Sequence, residues 1–167
     1  MPKNSSRSIH LALAAGLTLA CSQAALAEEF SLEIGSPVAA GNFRAKMAVL
    51  AIRSKGCAKP AKVELAGTAE GLVDGARQTV PLARLTEMPT PGVYAVPHEW
   101  PREGAWVVNL TGRCGEAAVS ALVPIGPKGF LRESSKFFAR PAAKEEVEAA
   151  VLSHAGKLSQ QPPGAPQ

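Results

Sequence analysis

The mature part of this chain predicts an all-β fold, an immunoglobulin-like sandwich of about seven strands with a short C-terminal helix. Three observations predict it. Short apolar or alternating runs recur between Gly, Pro and turn residues. About 100 residues hold seven such runs, the density of a sandwich. Two cysteines lie just beyond the ends of the two strongest runs.

The runs are taken in order. Phe30 to Ile34 alternates, with Phe30, Leu32 and Ile34 on one side. Ala45 to Arg53 is strongly apolar, with Met47, Val49 and Ala51 on one side and Leu50 and Ile52 on the other. Lying inside that strand, Met47 is expected in the core. Val63 to Glu70 alternates through Val63, Leu65 and Gly67. Asp74-Gly75 is a hairpin dipeptide, because the tight turn needs residues that tolerate positive φ. Gln78 to Thr86 follows, and Pro81 within it signals an edge strand or a bulge. Gly92 to Pro97 carries Val93-Tyr94-Ala95-Val96. Ala105 to Arg113 is the best strand, with Trp106, Val108 and Leu110 on one side and Val107 and Asn109 on the other. Ala117 to Ile125 pairs back as the last main strand. Three phenylalanines, Phe130, Phe137 and Phe138, then mark a segment folded back over the sandwich.

Residues Pro141 to Leu158 predict the helix. Proline suits its first turn, Glu145-Glu146 lie near the positive end of its dipole, and Lys157 near the negative end. Val147, Ala150, Val151, His154 and Leu158 share one side. On this side His154 is expected to pack rather than to ligate. Residues 159–167, with Pro162-Pro163-Gly164 and Pro166, read as a disordered tail. The organisation is therefore a segment 1–27, a sandwich domain 28–127, a Phe-rich segment and helix 128–158, and the tail.

Residues 1–27 read as a secretory signal peptide. Lys3 and Arg7 charge its start, Ile9 to Ala20 is a short apolar run, and Ala25-Leu26-Ala27 supplies small residues before the cut. Such a run is too short to anchor in a bilayer, which takes roughly 20 apolar residues. No later segment matches a membrane span, so the mature protein is expected in the periplasm or secreted. Leu19-Ala20-Cys21 partly matches a lipoprotein box, which leaves a lipid anchor through Cys21 as a minor alternative.

Cleavage at this site also changes the charge. Lys plus Arg is 18 and Asp plus Glu is 14 in the full chain, a formal +4. The signal holds Lys3 and Arg7, so the mature chain is at about +2. That excess is too small to argue for a nucleic-acid partner. A local basic stretch remains from Arg44 through Arg53 and Lys55 to Lys62. It could attract anionic lipid or polysaccharide, or simply solvate strand ends.

Cleavage leaves Cys57 and Cys114 as an even pair, and an oxidising compartment favours their union. If their strands are the second and sixth of the sandwich, both end at one pole, and the bridge ties two loops there.

Catalysis has little to draw on. The mature chain has two histidines, His98 and His154, and one aspartate, Asp74, already assigned to a turn. No nucleophile motif is present, so no catalytic residue and no enzyme activity are expected. Copper would want His and Met converging, and His98 with Met88 is the candidate metal pair. Trp100 and Arg102, at the turn Glu99-Trp100-Pro101-Arg102-Glu103-Gly104, form a candidate recognition loop, since exposed Trp and Arg are enriched in contacts. The alternative is a Trp folded back under its own turn.

Gly92-Val93-Tyr94-Ala95-Val96, then Gly104-Ala105-Trp106-Val107-Val108-Asn109-Leu110, resembles the bacterial periplasmic FixH/YtkA-like immunoglobulin-fold proteins and, more loosely, copper-resistance C-type domains. The likeness spans about 20 residues clearly. It implies that Tyr94 and Trp106 fill the core, and that copper handling or envelope assembly is the associated role. Copper-binding members use His and Met clusters near the mature N-terminus, whereas Glu28-Glu29-Phe30 has none. The expected function is thus a non-catalytic binding or accessory module of the cell envelope without a cofactor, acting on an envelope protein partner. Copper handling is the rival.

Overall fold

The computed structural model describes residues 29–37, 47–57 and 63–160. Residues 1–27, read above as a signal, the basic residues Arg44, Lys46, Lys59 and Lys62, and residues 161–167 of the tail lie outside them. Two antiparallel sheets and one helix account for the described chain.

The first sheet joins β1 (Ser31–Gly35), β2 (Ala48–Lys55), β6 (Val93–Pro97) and β5 (Thr86–Glu87), in the order β1-β2-β6-β5. The second joins β3 (Glu64–Val73), β4 (Ala76–Pro81), β7 (Ala105–Cys114), β8 (Ala117–Gly126) and β10 (Lys136–Phe138), in the order β10-β8-β7-β3-β4. The short β9 (Gly129–Phe130) also pairs with β8. The protein is an all-β sandwich, as the alternating runs predict.

The core between the sheets takes every second residue of the strands. Leu32, Ile34, Leu50, Ile52 and Val96 come from the first sheet. Ala69, Trp106, Val108, Leu110, Ala121 and Val123 come from the second. Trp106 is the largest of them and is 2 % exposed. Its ring fits because Gly71 stands directly opposite on β3, where a Cβ would lie 2.5 Å from the indole. Its Nε1–H donates to the Glu103 carbonyl at 2.7 Å.

The second sheet is covered on its other side as well. Helix α1 (Lys144–Ser159) lays Val147, Ala150 and Val151 on Val107 and Leu122. This is why Ala105 to Val108 are all buried, a continuous apolar run instead of an alternating one. Arg140 holds the helix start, with Nη1 and Nη2 on the Glu146 carboxylate at 2.8 and 2.7 Å. Glu146 Oε2 also accepts the Ala143 N–H at 2.7 Å, satisfying a helix-end donor. The Arg140 guanidinium beside it brings the Glu146 carboxyl down to about 2. His154 closes the far end of the helix. It is 3 % exposed, as its place on the apolar side predicts, and its Nε2 lies 2.9 Å from the Ile125 carbonyl.

Three expectations are corrected. Met47 is not core: it is 62 % exposed in a turn, and β2 begins one residue later. The run Gln78 to Thr86 is not one strand. Pro81, with no N–H to donate, ends β4 at the edge of the second sheet, and the chain crosses to the first sheet as β5. Leu82 and Leu85 pack against the core on the way, which explains their broken phase. The Phe-rich segment does not simply fold over the sandwich. It extends the second sheet, because residues 136–138 pair with β8.

The disulfide joins the two sheets. Cys57 follows β2 and Cys114 ends β7, with Cα atoms 6.0 Å apart. It ties the two strand ends at one pole, the arrangement expected from the sequence. Closing a loop of 57 residues is worth about 4 kcal/mol in the chain-entropy account. The Cys57→Ser/Cys114→Ser variant should accordingly lose about 2–4 kcal/mol in urea unfolding, with fluorescence still reporting a buried Trp106 in its native state.

A pH dependence follows from His154. Burial lowers its pKa below the ordinary value of 6.5, aided by nearby Lys157 and opposed by its bond to the Ile125 carbonyl. Glu133, Lys136 and Lys157 line the same cleft. The unfolded chain therefore takes up the proton first as pH falls. Stability should drop as pH goes below about 6.5 toward the lower folded value, and level off beneath it. Thermal midpoints measured from pH 7.5 to 5 should fall more steeply for the native protein than for His154→Gln.

Candidate functional site

The pole opposite the disulfide carries the candidate site. Here β2 and β7 begin while β6 and β8 end, so their connecting turns crowd together. A pocket of about 640 Å³ opens among them. His98 and Trp100 reach it from the turn after β6, Arg102 and Gly104 from the turn before β7, and Pro127 and Lys128 from the β8–β9 hairpin.

Aromatic rings form its floor. The His98 ring lies on Trp100 with centroids 4.6 Å apart, and Trp100 lies 6.5 Å from Trp106. The three rings thus lead from an exposed imidazole to the centre of the core. Arg102 and Lys128 stand exposed at the rim. No carboxylate occurs among the described lining residues. Glu99 is turned elsewhere: its Oε2 accepts the Ala83 N–H at 3.0 Å. An aromatic floor with a cationic rim suits a ligand that presents a carboxylate beside a flat apolar group.

The sequence-predicted residues separate into three groups. His98, Trp100 and Arg102 come together in this pocket. The recognition loop is nevertheless corrected in one respect: Trp100 is 5 % exposed and part of the core, because the turn folds back and places the indole between His98 and Trp106. It can floor a pocket but not form a tip. Arg102 keeps the exposed position expected of it.

Met88 belongs elsewhere. Its N–H donates to the Val93 carbonyl at the start of β6, while His98 follows the end of that strand. Five extended residues separate those positions by about 16 Å. The candidate copper pair therefore does not converge. No group of three His, Cys, Asp or Glu residues able to hold a metal occurs among the described residues. Cys57 and Cys114 sit at the opposite pole, in the disulfide.

Lys128 was missed by sequence reasoning. Gly126-Pro127-Lys128-Gly129 reads only as a strand terminator, and its hairpin partner at the pocket is set by tertiary folding. A second depression lies along β1 and takes in Met88, Arg53, Phe130, Arg132 and Phe137. The clustering of phenylalanines was the one sequence signal for it.

Fold and pocket define an all-β sandwich with a disulfide at one pole and a cation-rimmed aromatic pocket at the other. Comparison with family models, with characterised proteins and with solved structures finds no match.

The burial of Trp100 yields a direct expectation. Trp100→Ala should cost about 3–5 kcal/mol in thermal unfolding, the loss for a large core side chain. Arg102→Gln, at an exposed rim position, should stay within about 0.5 kcal/mol of the native protein.

Proposed function

We propose that this chain is an exported, non-catalytic binding module of the bacterial cell envelope, and that the pocket at the pole of His98, Trp100 and Arg102 takes an acidic segment of an envelope protein. One observation carries the reading: exposed Arg102 stands at the rim of an aromatic floor made by His98 and Trp100, with no carboxylate among the described lining residues. The export signal and the disulfide support the compartment, since such bridges persist in oxidising surroundings. No helix among the described residues is long and apolar enough to cross a membrane.

The strand order supports an immunoglobulin-like form of the sandwich. Order β1-β2-β6-β5 facing β8-β7-β3-β4 corresponds to strands A-B-E-D facing G-F-C with an added C′. The likeness of Gly92–Val96 and Gly104–Leu110 to FixH/YtkA-like proteins is in keeping with this form; of the two aromatic residues it implies for the core, Trp106 lies there and Tyr94 is only half-buried.

Site-directed photocrosslinking tests the function. A benzophenone residue at Pro127, on the pocket, should capture discrete envelope proteins from intact cells. The same residue at exposed Glu116, by the disulfide, should not. Adding Arg102→Gln and Lys128→Gln should lower the yield about tenfold, as loss of steering rim charges does. Equal capture at both poles, or a yield unmoved by the two substitutions, overturns the reading.

A further inference from the structure

The two sheets differ in width on one flank. The first sheet ends at β1, and the second runs past β8 to β10. Strand β1 lies against β8, so β10 projects one strand beyond it as a shelf. Among the described residues no strand stands beside β1 above that shelf.

Phe137 marks the open place. In the ladder it stands opposite Ala121, a core residue, so its ring takes the core-facing side of the second sheet. It is nonetheless 55 % exposed. A groove of about 740 Å³ runs here, lined by Leu32 and Ile34 of β1 and by Phe130 and Phe137 among others. A ring on the core side of one sheet is covered by a strand of the other. The strand position that covers Phe137 is the one next to β1.

The chemistry of that edge specifies the occupant. Strand β1 pairs with β2 along one edge, and its other edge presents peptide N–H and C=O groups to the flank. A purely apolar ligand covers Phe137 but leaves those groups unbonded. An extended peptide does both, with its main chain on β1 and alternate side chains over Leu32 and Phe137. A second copy of this chain fits poorly. Strand β1 has five residues, about 17 Å of edge, whereas stable association of folded partners takes roughly 800 Å² from each. Two copies meeting β1 to β1 also bring their β10 shelves into the same space. The shelf has room for one isolated strand and not for another sandwich.

We propose that the free edge of β1 docks an extended segment of a partner protein, about five residues long, with apolar side chains at alternate positions. The segment lies beside β1 and over β10, and adds a strand to the first sheet. Glu33 on β1 is already held by Lys55 Nζ at 2.6 Å, so the edge selects by backbone and shape. This goes beyond the pole pocket and stands on different residues.

The test is fluorescence anisotropy of the mature chain with a labelled synthetic peptide that alternates valine and threonine, with amide hydrogen exchange on the same complex. Saturable one-to-one binding is expected, and exchange should slow at the edge-facing amides of Ser31–Gly35. N-methylating one alternate set of peptide amides should weaken binding about tenfold or more, and methylating the other set should leave it unchanged, since only one set faces β1. Phe137→Ser, at an exposed position, should weaken binding about tenfold through lost aromatic contact, with the circular dichroism spectrum unaltered. Absence of saturable binding, or binding indifferent to which set is methylated, overturns the proposal. So do edge-facing amides that already exchange slowly in the free chain, because the place is then filled from within. Sedimentation showing a dimer that the peptide dissociates overturns it in favour of a second copy.

Discussion

The β7–β8 ribbon is apolar on both sides, and both sides must be covered. Trp106, Val108 and Leu110 turn to the first sheet, while Val107 and Leu122 turn to the helix. Burying apolar area is the main favourable term in folding, so a ribbon covered on one side only would forfeit much of it. The rest of the architecture answers this constraint. The first sheet closes one side, helix α1 closes the other, and Arg140 with Glu146 fixes where the helix begins.

This layered arrangement leaves the poles and one flank to be finished by other means. At one pole a covalent bond does it, and Cys57 and Cys114 hold the ends of β2 and β7 together. At the other pole the join is made by aromatic packing. Trp100 and Trp106 fill the space from turn and strand, and the pocket opens above them. The same stacking that completes the core therefore shapes the candidate site. Trp100 serves stability first, and the cations around it carry whatever selectivity the pocket has.

The flank follows from strand lengths. Strand β10 has three residues and pairs only with Leu122 to Ser120, so it extends the second sheet without reaching β1. Helix α1 covers the outer side of that sheet and leaves the seam open. Phe137 is 55 % exposed, and among the described residues no strand lies between β10 and β1.

Local chemistry determined most of the strands, the Asp74-Gly75 hairpin and the helix, because each depends on neighbours within a few residues. Asp74 and Gly75 adopt the positive φ that their turn demands, 49° and 79°. Pro81 stops its strand for the same kind of reason. Positions that depend on distant partners were legible only in part. The indole of Trp100 reads equally as tip or floor until His98 and Trp106 take their places on either side. Met88 and His98 look adjacent on the chain but fall at opposite ends of β6, since an extended strand carries its two ends far apart. Lys128 joins the pocket, and Phe137 the flank, only because antiparallel pairing with β8 carries each there. The sequence by itself determined what the elements are and which surfaces are apolar. The tertiary structure alone decided which side chains share a pocket, because that depends on how two sheets and a helix enclose one ribbon.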